Sequence, residues 1–352
     1  MRWVTPRKPP ASDGPACGSD YGDCGALQTT LIVNANDVPS ESLTHPIMTV
    51  THSIIIPTKD RPALLLRAVR SACQGQGAAC EILVIDDMSA LPATQVLKGL
   101  PEFESGRVRV LRDDSSTGVS AARNKGIAAA RGRLIFFLDD DDELQPGYCD
   151  RIAAGPAQQC DYGFSAYRLI HSDGTIMVPR ARFATGAIPA DAPLRKQLCG
   201  MGMGFWIHRQ VVEETGPFDT GLQINEDTDF VCRLIDRNKR GWYEASPGVD
   251  VYQHDTTGNL ANITKRTHAL ERASSMRLVC ERYPLMVAHL GRSYLRHCAK
   301  VDMRAQALGF IGTQPDHWLR WRLWLYFYAK RASYTAARMG KRRAHADRAL
   351  RF

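Results

Sequence analysis

The 352-residue chain carries 45 Lys and Arg against 37 Asp and Glu, a formal net charge of +8, and 44% of its residues are hydrophobic. That length and apolar content allow one large core or two modest ones and exclude a disordered or fibrous chain. Its ten cysteines, at 17, 24, 73, 80, 149, 160, 199, 232, 280 and 298, form no CxxC pair. In a chain too large to need staples they read as reduced thiols in a cytoplasm, not as a structural zinc site or a disulfide framework.

Residues 1–48 are rich in Pro, Gly, Ser and Asp without sustained periodicity and read as a flexible extension. No apolar run of roughly 7 to 15 residues follows the first basic residues, as a secretory signal would require. No later stretch approaches the roughly 18 to 20 apolar residues of a membrane span. The expectation is a cytoplasmic protein, or one peripheral on the inner face of the cell membrane.

From residue 49 short apolar runs alternate with helical segments. "SIIIPT" (53–58), "EILVID" (81–86), "RVRVLR" (107–112) and "RLIFFLD" (133–139) read as buried parallel strands. Between them, "PALLLRAVRSAC" (62–73), a weaker segment near 92–100 and "GVSAARNKGIAAARG" (118–132) read as helices. The alternation implies a right-handed, mostly parallel α/β sheet with helices on both faces, which binds ligands at the carboxyl ends of its strands. Those ends deliver Thr58, Lys59 and Asp60, then Asp86 and Asp87, then Asp139, Asp140, Asp141 and Asp142. Acidic groups converging on one edge repel one another, so the edge calls for a cation. "PTKDRPALL" contains neither GxGxxG nor GxxxxGK, which argues against a dehydrogenase or a P-loop nucleotidase.

The aspartate quartet is the most specific signal. Asp139 and Asp141 form a DxD pair of hard oxygen donors suited to Mg²⁺ or Mn²⁺, with sites left open for substrate phosphates. Asp86 and Asp87 either cap the next helix or offer one carboxylate to a ribose hydroxyl or base amide. Arg123 and Asn124, early in an Ala-rich helix, either face solvent or organise the acidic site. In "QINEDTDF" Asn225 fits a helix cap with Glu226 and Asp227 in the first turn. In the functional reading, a carboxylate there takes a proton from an acceptor hydroxyl. His254, after a short strand, is structural or a third metal ligand.

These segments, in this order over residues 51–262, resemble the inverting family 2 glycosyltransferases with the GT-A fold. The resemblance implies a doubly wound, Rossmann-like sheet of GT-A type, with a nucleotide-sugar half at 49–145 and an acceptor half at 146–264. A helical basic region at 265–352 follows. It implies that Pro57, Thr58, Asp60 and Asp86 hold the base and ribose of the donor, with Asp87, Arg123, Asn124, Asp139 and Asp140 at the same site. Asp141, Asp139 and His254 would hold Mn²⁺ or Mg²⁺, with Asp141 the direct ligand. Asp227 would be the catalytic base beside Glu226. Residues 179–208 would help build the acceptor site, with Gly202, Met203, Gly204 and Trp206 as lining. Where the family commonly has Tyr or Phe and Asn in the first motif, this chain has "TKD".

The expected activity is metal-assisted, inverting transfer of a sugar from a UDP- or dTDP-sugar to a hydroxyl of a glycan or lipid-linked acceptor, in polysaccharide biosynthesis. A catalytically degenerate carbohydrate-binding or scaffold protein is the alternative, and a sugar-phosphate nucleotidyltransferase a further one. Residues 265–352 hold 19 Lys and Arg against 5 Asp and Glu, so the basic balance belongs to this end. Within it, 316–343 interleaves three tryptophans and three tyrosines with basic residues. That helix either lies on an anionic membrane surface or packs its aromatic face on the catalytic domain. It matches no nucleic-acid-binding module.

Overall fold

The computed structural model describes residues 50–77, 79–112, 115–254 and 267–349. The 1–48 extension, the 264/265 boundary and the 255–262 end of the last motif lie outside the described residues.

The first half alternates as expected. β1 (His52–Thr58) and β2 (Cys80–Asp86) are buried at every position. Between them, α1 (Pro62–Cys73) starts on a proline, whose missing N–H no first-turn bond needs. α2 (Ala93–Leu97) and α3 (Pro101–Glu104) precede β3 (Val108–Arg112), then α4 (Val119–Ala129) and β4 (Leu134–Phe137). α4 ends three residues before the expected 132, because Ala130 is extended and the chain turns at once into β4. Gly132 sits in that turn because a Cβ there would lie 2.5 Å from the His52 backbone. Gly126 likewise lets α4 close on β1, where a Cβ would meet Ile55 at 2.4 Å. Gly126 of α4 is thus a packing requirement.

The second half comprises β5 (Glu143–Leu144), α5 (Tyr148–Ala154), β6 (Tyr162–Ile170), β7 (Ile176–Met177), β8 (Gly186–Ala187) and α6 (Leu194–Gln197). β9 (Trp206–His208), α7 (Arg209–Thr215), α8 (Glu226–Asp236) and β10 (Gly241–Tyr252) complete it. Among the described residues the strands form one ten-stranded sheet in the order β3-β2-β1-β4-β9-β6-β10-β5, with β7 on β6 and β8 on β10. β1, β2, β3 and β4 are mutually parallel, as are β6 and β10, while β9 runs antiparallel to both β4 and β6. The short strand expected before His254 is the end of the twelve-residue β10. Pro247 and Gly248 lie where its register shifts, which hides the earlier part of the strand from a pattern reading.

Side-chain alternation gives the sheet two apolar faces. Ile54, Ile56, Val84 and Phe136 pack with residues of α1 and α5. Ile55, Leu83, Ile85 and Phe137 pack with residues of α4 and α8. Beyond them α9 (Ala269–Arg282), α10 (Val287–Val301), α11 (Arg304–Gly312) and α12 (His317–Ala349) share a third core that includes Leu222 and Cys232. α8 is therefore buried on two sides. Among the described residues no helix is long and apolar enough to cross a membrane.

One feature of register positions the site. β1 pairs with β2 as far as Thr58 and Asp86, but with β4 only as far as Ile55 and Phe137. Past that point β1 and β4 make no further ladder pair, and the strand order reverses there, the place where sheets of this kind hold a ligand crevice. Pro57 lies beyond the last β4 pair, so its missing N–H removes no ladder bond.

Candidate active site

The four aspartates after β4 point to four different partners. Asp139 accepts a bond from Arg123 at 3.0 Å and is the most exposed of them, with 37% of its side chain open. Asp140 turns back to β1, where the Thr58 hydroxyl donates to it at 2.7 Å and Arg61 at 3.1 Å. Asp141 takes the other contact of the same Arg61 nitrogen, at 3.1 Å, and lies 3.4 Å from His254 Nε2. Asp142 accepts the Tyr252 backbone N–H of β10 at 3.0 Å. Burial drives the Asp140 carboxyl up to about 6 against the pull of Arg61. Burial and the neighbouring aspartates also raise Asp141 and Asp142. The edge is a concentration of carboxylates only partly compensated by protein cations.

Across the crevice stands the start of α8. Glu226 accepts Arg123 at 2.8 Å, so one guanidinium, 5% exposed, joins the DxD segment to the ED segment. Arg123 also lies over the Phe218 ring at 5.6 Å. Asp227 receives the Thr228 N–H at 2.6 Å, and burial and Glu226 push its carboxyl up to about 6 in spite of Arg123 and its place in the first turn of the helix. The segment 200–202 spans the two motifs. A Cβ on Gly202 would lie 2.7 Å from Asp139 Oδ2, and one on Gly200 would lie 3.3 Å from Asp227 Oδ2. A side chain at either point would crowd these carboxylates.

Other expected site residues serve the framework. Asp86 is fully buried, and it accepts the N–H groups of Ser89 and Ala93 and the Arg112 guanidinium. Although burial opposes it, these bonds hold its carboxyl below the usual range. These bonds give Asp86 a capping role at the end of β2. Asp87 holds the turn before α4 through Ser116, Thr117 and Gly118. Asp60, at φ 55°, accepts the Ala90 N–H. The Asn124 amide exchanges two bonds of 2.9 Å with the Phe218 backbone and so pins the loop before α8. Asn225 is the N-cap residue of α8, but its side chain donates to Ser275 of α9 and caps nothing.

The expected acceptor lining divides. Gly202 and Met203 are partly exposed, with Gly202 against Asp139. Trp206 is fully buried in the sheet core and Gly204 is buried at φ 59°, its carbonyl accepting Tyr148. Both are corrected from lining to support, because a side chain or backbone with no open surface meets no ligand. Sequence reasoning passed over Arg61, Arg67, whose guanidinium bonds the Asp141 carbonyl, and Gly200. Arg61 was open to detection, since it directly follows Asp60 in the first motif.

Among the described residues no group of three or more His, Cys, Asp or Glu side chains is gathered as a self-sufficient metal cage. The donor set instead fits a divalent ion of the Mg²⁺ or Mn²⁺ kind, which takes one or two carboxylates and completes its shell with water and substrate phosphate. Asp139 and Asp141 supply such oxygens at the crevice, with His254 beside them.

The chain matches the family described as glycosyl transferase family 2 over residues 53–215. It is 40% identical over 232 residues to the succinoglycan biosynthesis protein ExoO of Rhizobium meliloti, covering 63% of this chain and 65% of that one. It is 30% identical over 202 residues to WcaA of Escherichia coli, named for colanic acid biosynthesis, covering 54% and 68%. The chain thus spans about two thirds of the length of these relatives. S. aureus TarS 1–349, solved in complex with UDP-GlcNAc, has the same fold, with a TM-score of 0.62 at 15% identity over 82% of this chain and 92% of that one. With the doubly wound, mostly parallel sheet and its C-terminal helices, these likenesses establish that the chain is a GT-A-type member of glycosyl transferase family 2.

Proposed function

We propose that the chain transfers a sugar from a nucleoside-diphosphate sugar to a hydroxyl of a glycan or lipid-linked acceptor, with inversion, in polysaccharide biosynthesis. The observation that carries this reading is the Arg123 bridge, which holds the DxD carboxylate Asp139 and the ED carboxylate Glu226 on one guanidinium, with Gly202 and Gly200 close against Asp139 and Asp227. ExoO and WcaA, named for exopolysaccharide synthesis, support the product class. The UDP-GlcNAc of TarS supports a uridine donor, with a thymidine donor as the other choice. The eight free cysteines among the described residues accord with action on the cytoplasmic side.

In this reading the donor lies in the crevice between β1 and β4, with its diphosphate toward Asp139 and Asp141. Those two residues, with His254, would hold Mn²⁺ or Mg²⁺, which when bound neutralises charge on the departing diphosphate. Asp227 takes the proton of the acceptor hydroxyl. The hydroxyl oxygen then bonds the anomeric carbon as the bond to the diphosphate breaks on the opposite face, and a single displacement inverts that centre. Asp227 suits the role because a base of pKa about 6 is ionised at neutral pH yet retains proton affinity. Arg123 and Glu226 position the α8 end, and Arg61 holds Asp140 and Asp141 in register.

Calorimetric titration with UDP, dTDP and GDP, with Mn²⁺ present or chelated, tests the donor site. The expected result is metal-dependent binding of UDP or dTDP, weakened at least about tenfold in Asp141→Asn through loss of a hard anionic ligand. Absence of binding by any of the three nucleotides to folded wild-type protein would overturn the reading.

A further inference from the structure

α12 has two apolar faces, and the chain uses only one. Leu323 and Phe327 are buried and, with Leu319, face the core shared with α9, α10 and α11. Half a turn away Trp318, Trp321 and Leu325 are 71%, 52% and 42% exposed, and Trp324, nearer the core face, is 44% exposed. At 3.6 residues per turn, 318, 321, 325 and 328 fall on one side, and 332, 336 and 339 continue it. Arg322 borders this stripe, while Arg320 and Arg331 lie nearer the core face, where Arg320 donates to the Gln314 carbonyl and Arg331 pairs with Asp302 at 2.9 Å. Arg304 of α11 reaches its edge, with its guanidinium 5.9 Å from the Tyr328 ring centre. Large aromatic side chains left in water on a helix already anchored by its other face mark a surface made for contact.

We propose that this outer face of α12 seats the protein on an anionic phospholipid bilayer, with the tryptophans at headgroup depth and the flanking arginines on lipid phosphates. Three features favour lipid over a second copy of the chain. The stripe is tryptophan and tyrosine diluted by Ala329, Ala332 and Ala336, the make-up of an interfacial helix and not the Leu/Ile seam of a helical dimer. Residues 265–352 carry 19 basic against 5 acidic residues, so like copies repel here while an anionic bilayer attracts. The 33-residue helix, roughly 50 Å long at 1.5 Å per residue, suits lying along a surface, and no described helix is apolar enough to cross one. The inference uses no residue of the crevice, so it stands or falls apart from donor binding.

The test is co-sedimentation of the full chain with vesicles of phosphatidylcholine alone or mixed with phosphatidylglycerol, together with tryptophan emission. The full chain should sediment with the phosphatidylglycerol vesicles, shift its emission to the blue, and release in high salt. Trp318→Ser/Trp321→Ser/Leu325→Ser should weaken partitioning by at least about tenfold, because most of the buried apolar area is lost. Arg322→Gln should weaken it roughly fivefold on anionic vesicles only. Both variants should keep the wild-type Tm, since the substituted side chains face away from the core. Wild-type protein left in the supernatant with phosphatidylglycerol vesicles at low salt would overturn the proposal. So would a triple serine variant that sediments as well as wild type, or self-association in sedimentation velocity that the triple variant abolishes without any vesicle binding.

Discussion

Arg123 carries two carboxylates on one nearly buried guanidinium. Removing the cation leaves Asp139 and Glu226 facing each other with Asp227 near by. Arg123→Met should therefore cost about 3–5 kcal/mol of stability, measured by urea unfolding, and should also weaken nucleotide binding. Arg123→Lys keeps a charge but lacks the fork that reaches both acids, so it should recover stability better than it recovers transfer. Asp227 gives a separate residue-scale expectation. Asp227→Asn should lower transfer about 10²–10⁴-fold with nucleotide affinity unchanged, because it deletes the proton acceptor and leaves the donor edge intact. The base must be ionised to act, and burial with Glu226 places its carboxyl at about 6. In wild type kcat/KM should rise about tenfold per pH unit below that value and level off above it. A profile flat down to pH 4, or near-wild-type transfer by Asp227→Asn, would remove Asp227 from the role.

At the scale of elements, α8 holds the site because it is fastened at both faces. Its inner face packs Phe230, Val231 and Leu234 on the sheet, while Asp229, fully buried, accepts Arg233 at 2.6 Å and Arg282 of α9 at 2.9 Å. Tyr283 donates to the same carboxylate at 3.3 Å. Asp229→Ala should thus destabilise the protein by about 1.5–3 kcal/mol in urea unfolding, by removing charge-assisted bonds that tie α8 to α9. Asp229→Asn should cost less, since the amide oxygen still accepts one donor. A loss below about 1 kcal/mol for the alanine variant would mean that α9 is fastened elsewhere. The elements themselves were legible to different degrees. β1, β2, β4 and α1 read clearly from uninterrupted buried runs and a first-turn proline. β6 and β9 did not, because an antiparallel insertion between parallel strands depends on pairing partners more than thirty residues away. α4 read as a helix, but the reason for its Gly126, contact with Ile55, is visible only once the sheet exists.

For the molecule as a whole, the sequence showed which edge collects acids but not how they are shared. Four consecutive aspartates look equivalent on paper. In the fold each meets a different element: Asp139 meets α4, Asp140 meets β1, Asp141 meets His254 and Asp142 meets β10. The bonds of Asp86 with Ser89, Ala93 and Arg112 are likewise a product of tertiary closure. The same closure bears on the C-terminal helices, which composition sets apart as a basic region. Leu222 and Cys232 belong to their core, Asn225 is bonded to Ser275, and Asp219 and Asp229 are paired with Arg282. A chain ended at residue 264 would expose that core face and leave the buried Asp229 without Arg282, directly beneath the proposed base. Its melting temperature should fall by at least about 10 °C, since several kcal/mol are at stake and each shifts Tm by about 2–4 °C in a domain of this size. Thermal melts of the two chains by circular dichroism read this directly. Equal melting with retained nucleotide binding would show that the helices are an appendage; the expected fall, with nucleotide binding lost alongside it, makes them part of the machinery that holds α8 at the crevice.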